Sequence, residues 1–597
     1  MAETPRQGGA LRELRRLLPY LRRYRSLVLL GITFITISNI CSTLIPRVVG
    51  RTIDTLRVET FTQENVLALI GEILLLTIGS GFFMFATRRT IIVASRRVEE
   101  DLRNDFVNAL QSQSQKFFHD RSTGGIIALF TNDIGAVREF IGPAVMYSAN
   151  TITTFAFALS FMVSLNGWLT LAIVIPVPFI AYSTYKLGRK IHEQYKRVQE
   201  QYEHITTHAQ ETFSGVRVVR AYAREESEDM TFADESRTYY GRNMKLARYN
   251  ALMMPAMTVL FNISYVIVIG FGGWLIVKDM LTVGMLTQFF IYLNQLLWPI
   301  AAIGWVTGMI QRGAASMARL GAIIEHVPEI RDTEFTNMSI KELKGSVSFS
   351  NVTLAYPTTT SDGIGTMTTV LHNIDLNIPA GTSLGIVGHV GAGKTSLVNL
   401  IPRLYDVTDG SVRIDGHDVR TIPLGVLRDA IAVVPQESFL FSDTIRENVR
   451  FGNPDATDED VLRASSLAQL DGDIVNLPQG YDTVVGERGI TLSGGQKQRT
   501  ALARAILDDP AVLILDDSLS AVDTDTESRI LRGLETVKHG RTTIIIAHRV
   551  SAVKDCDRII VLKDGKIIES GSHNELLTLG GTYADLHERQ LLEAAIQ

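Results

Sequence analysis

Long uncharged stretches dominate the first half of the chain, and short β-branched runs broken by turns dominate the second. A helix that crosses a bilayer needs about 20 largely apolar residues. Six segments reach that length: residues 27–45, 66–86, 140–165, 168–185, 249–277 and 280–310. The last two contain no charged residue at all. One such stretch is what a buried core helix also looks like, but six in succession predict a polytopic membrane domain. Lysine and arginine orient it. Arg12, Arg15, Arg16, Arg22, Arg23 and Arg25 precede the first segment, which places the start in the cytosol. Leucines at 11, 14, 17, 18 and 21 fall between them at helical spacing, and predict an amphipathic helix on the inner membrane surface, broken near Pro19.

Six crossings return the chain to the cytosol, so both termini are expected there. The outer links are then short: residues 46–65, Asn166-Gly167 and Lys278-Asp279. The inner connections are long, about 50 residues between the second and third segments and about 60 between the fourth and fifth. They are rich in charge and carry helical patterns over 94–113 and 186–213. Helices of that kind extend about 1.5 Å per residue beyond the bilayer and can carry motion between a soluble engine and the membrane. Glu72 lies in the second segment near its outer end, where a carboxylate reaches the interface rather than a proton path. Asn39, Asn150, Asn262, Gln288, Asn294 and Gln295 lie inside segments and are read as helix-to-helix hydrogen-bonding groups. Phe289 and Trp298 suit either an amphipathic cargo or the membrane interface.

At 597 residues the chain holds several domains. Its net charge of −5 lacks the basic stripe that nucleic acid requires, so no nucleic-acid partner is expected. Two cysteines, Cys41 and Cys556, support neither a disulfide framework nor a zinc site. No removable signal is expected at the start.

Past residue 345 the chemistry changes. The run Ser383–Val387 reads as a strand, followed by Gly388-His389-Val390-Gly391-Ala392-Gly393-Lys394-Thr395-Ser396, which leads into a helix. Backbone amides and a helix start cradle phosphates there, Lys394 reaches the β- and γ-phosphates, and the Thr395 hydroxyl is placed to ligate Mg²⁺. About 120 residues later, Val512-Leu513-Ile514-Leu515 ends in Asp516 and Asp517. Asp516 is positioned to hold Mg²⁺, and Asp517 to face the γ-phosphate. Between these motifs stands Leu492-Ser493-Gly494-Gly495-Gln496, opening a helix over 497–507. It is a second anion-binding helix start in a domain that already has one, so it needs a different ATP, held by a second copy of the domain.

On these motifs the chain resembles the ATP-binding cassette (ABC) transporters, whose signature is that pentapeptide. The resemblance implies a multidomain chain: an all-α polytopic membrane domain with six spans and extended intracellular helices, followed by an α/β P-loop cassette. The boundaries expected are a basic elbow helix over 1–25, the membrane domain over 26–328, a linker over 329–344 and the cassette over 345–597. It implies ATP and Mg²⁺ as cofactors, Tyr356 stacked on adenine, Gln436 as the glutamine that senses the γ-phosphate, touches the membrane domain and helps hold Mg²⁺, and His548 as the switch histidine. Asp523, in Ser520-Ala521-Val522-Asp523, resembles the loop that crosses to the other subunit, and Glu487 the exporter-specific loop before the signature. Six spans ahead of one cassette, with residues 211–225 like the second intracellular loop, resemble the exporter half-transporter plan. The expected location is the cytoplasmic membrane.

One position departs from the family pattern. Asp517 stands where such chains carry the glutamate that orients the attacking water. The lost methylene retracts the carboxylate by roughly 1.5 Å, one carbon–carbon bond. The chain then resembles the degenerate-site half of heterodimeric bacterial multidrug exporters, with a different half-transporter carrying the competent glutamate and with amphipathic small molecules as cargo. The alternatives are a homodimeric lipid or drug flippase and an ATP-gated regulatory subunit.

Overall fold

Apolar runs become long helices in the first of two compact units of the computed structural model, which describes residues 12–56, 63–119, 121–359, 365–486, 492–518, 524–538 and 540–596. This unit comprises residues 1–109 and 124–326. Among the described residues, four helices are long and apolar enough to cross a membrane, Arg25–Thr55, Gln63–Gln111, Thr123–Leu165 and Val283–Ile324, against the six segments expected. The fourth expected segment is split. A helix Gly167–Val174, capped by the Asn166 side chain, ends at Ile175, and Pro176–Ser214 begins afresh. Proline has no amide hydrogen to continue the ladder, and the helix it starts is largely charged beyond residue 186. The fifth is the apolar end of the helix Glu225–Ile267, which passes through a π turn, Val268–Gly272, into Gly273–Val277. Its apolar part, Phe261–Val277, falls just short of a full span.

The first outer link is also shorter than expected. The helix runs through Pro46 to Thr55, and the next begins at Gln63. Tertiary contacts tie the end of the first of these helices to the start of Val283–Ile324. Asp54 Oδ2 accepts the Thr282 hydroxyl at 2.6 Å and Asp54 Oδ1 the Gly284 amide at 2.8 Å. Gly50 is required by close approach, because a Cβ there would lie 2.1 Å from Gln288 Nε2. Polar groups inside the bundle join helices: Asn39 Nδ2 donates to Thr153 Oγ1 at 2.6 Å, and Gln295 Nε2 to the Ser42 carbonyl at 3.1 Å. Glu72 pairs with Arg51 at 3.7 Å. Phe289 is buried and Trp298 exposed.

The short N-terminal helix Leu18–Arg23 takes Pro19 in its first turn, where the missing amide costs nothing. It is tied by side chains rather than by apolar contact alone. The Tyr20 hydroxyl donates to Asp105 at 2.7 Å, Arg23 to Asp101 at 3.1 Å, and Arg16 pairs with Glu325 at 3.0 Å. The charged extensions are helical as their pattern predicts, over Val93–Gln111 and within Pro176–Ser214. Asp133, buried, receives both Ser316 Oγ at 2.8 Å and the Arg319 fork, joining Thr123–Leu165 to Val283–Ile324.

The second unit takes residues 110–123 together with 327–597. The stretch 329–344 packs on it: Ile330 and Ile340 are buried, and the Asn337 amide donates to the Thr421 carbonyl at 2.7 Å. An antiparallel sheet is ordered β2-β1-β4-β5, from β1 Val347–Thr359, β2 Gly365–Ile378, β4 Asp409–Ile414 and β5 His417–Asp418. A second sheet is ordered β10-β9-β3-β8-β7-β6, from β3 Ser383–Val387, β6 Ile431–Val434, β7 Val512–Asp516, β8 Thr542–Ile546, β9 Arg558–Lys563 and β10 Lys566–Gly571. All but the β10 pairing are parallel. β3, β7 and β8 are buried at every residue, as near-continuous aliphatic strands covered on both faces must be.

Candidate active site

Ligands of open parallel sheets lie beyond the carboxyl ends of the strands. Four neighbouring strands end here in register, with Ile386 paired to Ile546, Asp516 to Ile546 and Val434 to Leu515. Each end delivers one piece of the predicted machinery. β3 runs into the glycine loop and the helix Lys394–Asn399, β8 into His548, β7 into Asp516 and Asp517, and β6 into Gln436. They meet around a cavity of about 270 Å³ lined by Tyr356, Gly391, Ala392, Gly393, Lys394, Thr395, Ser396, Gln436, Asp516, Asp517 and His548. Val370 and Ile546 also line it, and nothing in their sequence context marks them. Gly388 lies behind the loop, beside a second cavity. Gly393 holds φ +97°, and a Cβ there would meet Leu371 at 2.9 Å, so the loop needs glycine on both conformational and steric grounds.

Lys394 is buried and its ammonium donates to the carbonyls of Gly388 at 2.8 Å and His389 at 3.1 Å. Burial lowers its pKa, against the opposing pull of Asp517 and Asp516. Asp516 is moved the other way. Burial raises its carboxyl pKa, with the Asp517 charge adding to the rise and the Thr395 hydroxyl and Lys394 opposing it. Asp517 Oδ2 lies 3.4 Å from Gln436 Nε2 and 4.0 Å from His548 Nε2. Tyr356 borders the cavity with its hydroxyl 3.3 Å from Ser396 Oγ, and its ring stands edge-on to Tyr405 with centroids 5.2 Å apart. Tyr405 is a supporting aromatic that sequence reading had no motif to find.

The signature segment is not part of this cavity. Leu492 is buried, whereas Ser493 and Gly494 are exposed at the start of the helix Gly494–Leu507, three residues earlier than the sequence pattern suggests. A capping box explains the earlier start: Ser493 Oγ accepts the Gln496 amide at 3.3 Å, and Gln496 Oε1 accepts the Ser493 amide at 3.0 Å. The box leaves the first amides of the helix without intrahelical partners, as every helix start does. Glu487 and Asp523 lie outside the described residues.

Two family models match the chain, the ABC transporter transmembrane region over residues 28–300 and the ABC transporter model over 371–520. A probable multidrug resistance ABC transporter ATP-binding/permease protein of Bacillus subtilis is 35% identical over 569 residues, 95% of each chain. The chain belongs to the ABC exporters. The exporter is also 33% identical to the multidrug resistance-like ATP-binding protein MdlA of Escherichia coli, over 97% of this chain and 96% of that one. It is 38% identical to an ATP-dependent lipid A-core flippase of Syntrophus aciditrophicus over 83% and 81% of the two chains. A bacterial Atm1-family ABC exporter solved with ATP bound superposes with a TM-score of 0.79 at 28% identity, covering 96% of this chain and 99% of that one.

The exporter is therefore a multi-pass membrane protein that hydrolyses ATP to drive transport. Its donor set fits the dication such an enzyme uses. Asp516, the Thr395 hydroxyl and the Gln436 amide offer oxygen ligands, which suit a hard ion such as Mg²⁺. The buried Asp516 carboxyl, held above its ordinary pKa, gains from a nearby positive charge.

Proposed function

We propose that this exporter is one half of a two-chain assembly that expels amphipathic compounds across the cytoplasmic membrane, driven by ATP hydrolysed chiefly at the other composite site. Its six predicted segments cross the membrane, with both termini in the cytosol. Tyr356 stacks on adenine, the loop from Gly388 to Ser396 holds the phosphates, and Lys394 neutralises the β- and γ-phosphates. Thr395, Asp516 and Gln436 hold Mg²⁺, which when bound offsets the charge on the phosphates. Asp517 and His548 face the γ-phosphate. The signature residues Leu492, Ser493, Gly494, Gly495 and Gln496, with Asp523, serve a nucleotide held by the partner chain.

The observation that carries this reading is an aspartate at 517, between Gln436 and His548, where the family places a glutamate to orient water. A carboxylate withdrawn by roughly 1.5 Å is expected to slow hydrolysis on the order of 100-fold. The binding parts are in order, so this site grips nucleotide and turns it over slowly, and its signature completes the faster site of a partner bearing glutamate. The multidrug relatives support amphipathic small molecules as cargo. The flippase relative supports a lipid as a second reading.

The purified chain alone is expected to show weak ATPase activity, restored when it is co-expressed with a half-transporter whose magnesium aspartate is followed by glutamate. Full turnover by the lone chain refutes the two-chain reading. In inverted vesicles of the pair, ATP-dependent accumulation of a fluorescent cationic dye identifies drug export. Movement of a labelled phospholipid between leaflets without dye uptake identifies the lipid reading instead.

A further inference from the structure

Gln590 sits on the C-terminal helix Thr582–Ile596, more than forty residues beyond the switch histidine, in a stretch with no recognised motif. Its carboxamide is engaged at both ends by the backbone around that histidine. Nε2 donates to the His548 carbonyl at 2.7 Å, and Oε1 accepts the Val550 amide at 2.8 Å. One planar group thus fixes the two peptide units that flank Arg549, much as a paired strand would. A second clamp acts on the alternate residues of the same segment. Glu527, 2% exposed, accepts Arg549 Nη1 at 3.1 Å and Ser551 Oγ at 3.4 Å. Among the described residues the His548 ring makes one long side-chain approach, to Asp517 at 4.0 Å, and its side chain is 40% exposed. The backbone therefore has a large share in setting where its Cα–Cβ bond points.

The C-terminal helix also reaches the phosphate loop. A cavity of about 200 Å³ is bounded on one side by Gly388, His389, Val390 and His548, and on the other by Tyr583, Leu586 and Arg589 of this helix. We propose that Gln590 is a positioning residue of the ATPase, which sets the direction of His548 and makes the C-terminal helix a working part of the nucleotide site. This rests on the reading of His548 as the switch histidine. It predicts that disturbing the helix changes the rate of hydrolysis without changing the grip on ATP, since among the described residues no group of the helix lines the cavity where nucleotide is expected.

The test uses the full-length chain co-purified in nanodiscs with its glutamate-bearing partner, the partner's glutamate replaced by glutamine so that turnover reports this chain's site, in both the wild-type and the Asp517→Glu backgrounds, with His548→Ala, Gln590→Ala and the double variant. Gln590→Ala is expected to lower kcat by about tenfold to a hundredfold, with the KM for ATP and the binding of trinitrophenyl-ATP within about twofold. The double variant should be no slower than His548→Ala alone, because both changes remove one function. Gln590→Glu keeps the acceptor for Val550 but turns an oxygen toward the His548 carbonyl. It should fall with the alanine variant while retaining the wild-type melting temperature, which separates aiming from folding. An unchanged kcat in either Gln590 variant, or losses that multiply in the double variant, overturns the assignment of Gln590. Wild-type kcat in His548→Ala removes the switch reading itself, a distinct outcome that takes the Gln590 proposal with it.

Discussion

At the residue scale, the position that matters most has an unusual backbone. Asp517 has φ +46°, in the left-handed region, immediately after the straight strand β7. Aspartate and asparagine visit that region more readily than other side chains, because a short polar group bonds locally. Glutamate therefore brings two opposed changes to this site. It restores the reach toward the γ-phosphate, a gain on the order of 100-fold. It also adds strain of roughly 1 to 2 kcal/mol, about a fivefold to thirtyfold cost if the strain is carried into the transition state. Asp517→Glu is expected to raise single-turnover hydrolysis at this site by about tenfold, the difference between the two. Radiolabelled ATP and rapid quench read it directly. An unchanged rate means that carboxylate reach is not what limits this site.

At the scale of elements, hydrophobic patterning located the helices but misjudged where they stop. The span through Pro46 continues because Asp54 and Gly50 make contacts with the last long helix, on residues more than two hundred positions away. The fourth segment divides because Pro176 overrides an apolar run that length alone would accept. The strand, glycine loop and helix that border the cavity at the strand ends were far more legible. Phosphate binding needs a strand, a glycine turn and a helix start in local succession, and a short sequence window records all three. Val370, Tyr405 and Gln590 were illegible for the opposite reason, since each reaches its place by tertiary folding from a region without a motif.

The C-terminal helices carry a further consequence of packing. The His573 Nδ1 and the Tyr583 hydroxyl are 2.7 Å apart, and burial pushes the Tyr583 pKa up to about 12, so the phenol donates and the imidazole accepts. Burial lowers the His573 pKa below 6.5, and His587 and Lys554 lower it further against Asp555. The folded state therefore binds this proton less tightly than the unfolded chain. Stability from this group is fully present above pH 6.5 and is lost as the pH falls through the depressed value. The melting temperature of the full-length protein is expected to fall between pH 7 and pH 5, and His573→Gln to flatten part of that slope. Parallel pH profiles for the two proteins would remove His573 as the cause.

At the scale of the whole molecule, a nucleotide held by the phosphate loop of one chain meets a signature only if a second chain lends it one, which is the arrangement proposed above. Ser493 and Gly494 stand exposed at their helix start, outside the cavity that gathers Lys394, Asp516 and His548. An assembly of identical copies makes two equal sites, so a lesion in the signature and a lesion at Asp517 both strike every site. An assembly with a glutamate-bearing partner makes two unequal sites, and the same two lesions then fall on different ones. Under the proposed two-chain reading, Ser493→Arg removes anion binding at the fast site, while Asp517→Asn touches only the slow one. In the co-purified pair, Ser493→Arg should cut steady-state ATPase by about 100-fold or more, the scale of losing a group that stabilises transition-state charge. Asp517→Asn should cost less than about threefold, because a site already slowed on the order of 100-fold contributes little to the total. Comparing the two variants in one membrane preparation cancels differences in expression and lipid. Equal losses would mean that both sites fire alike, and the shortened carboxylate would then have no bearing on how the exporter divides its work.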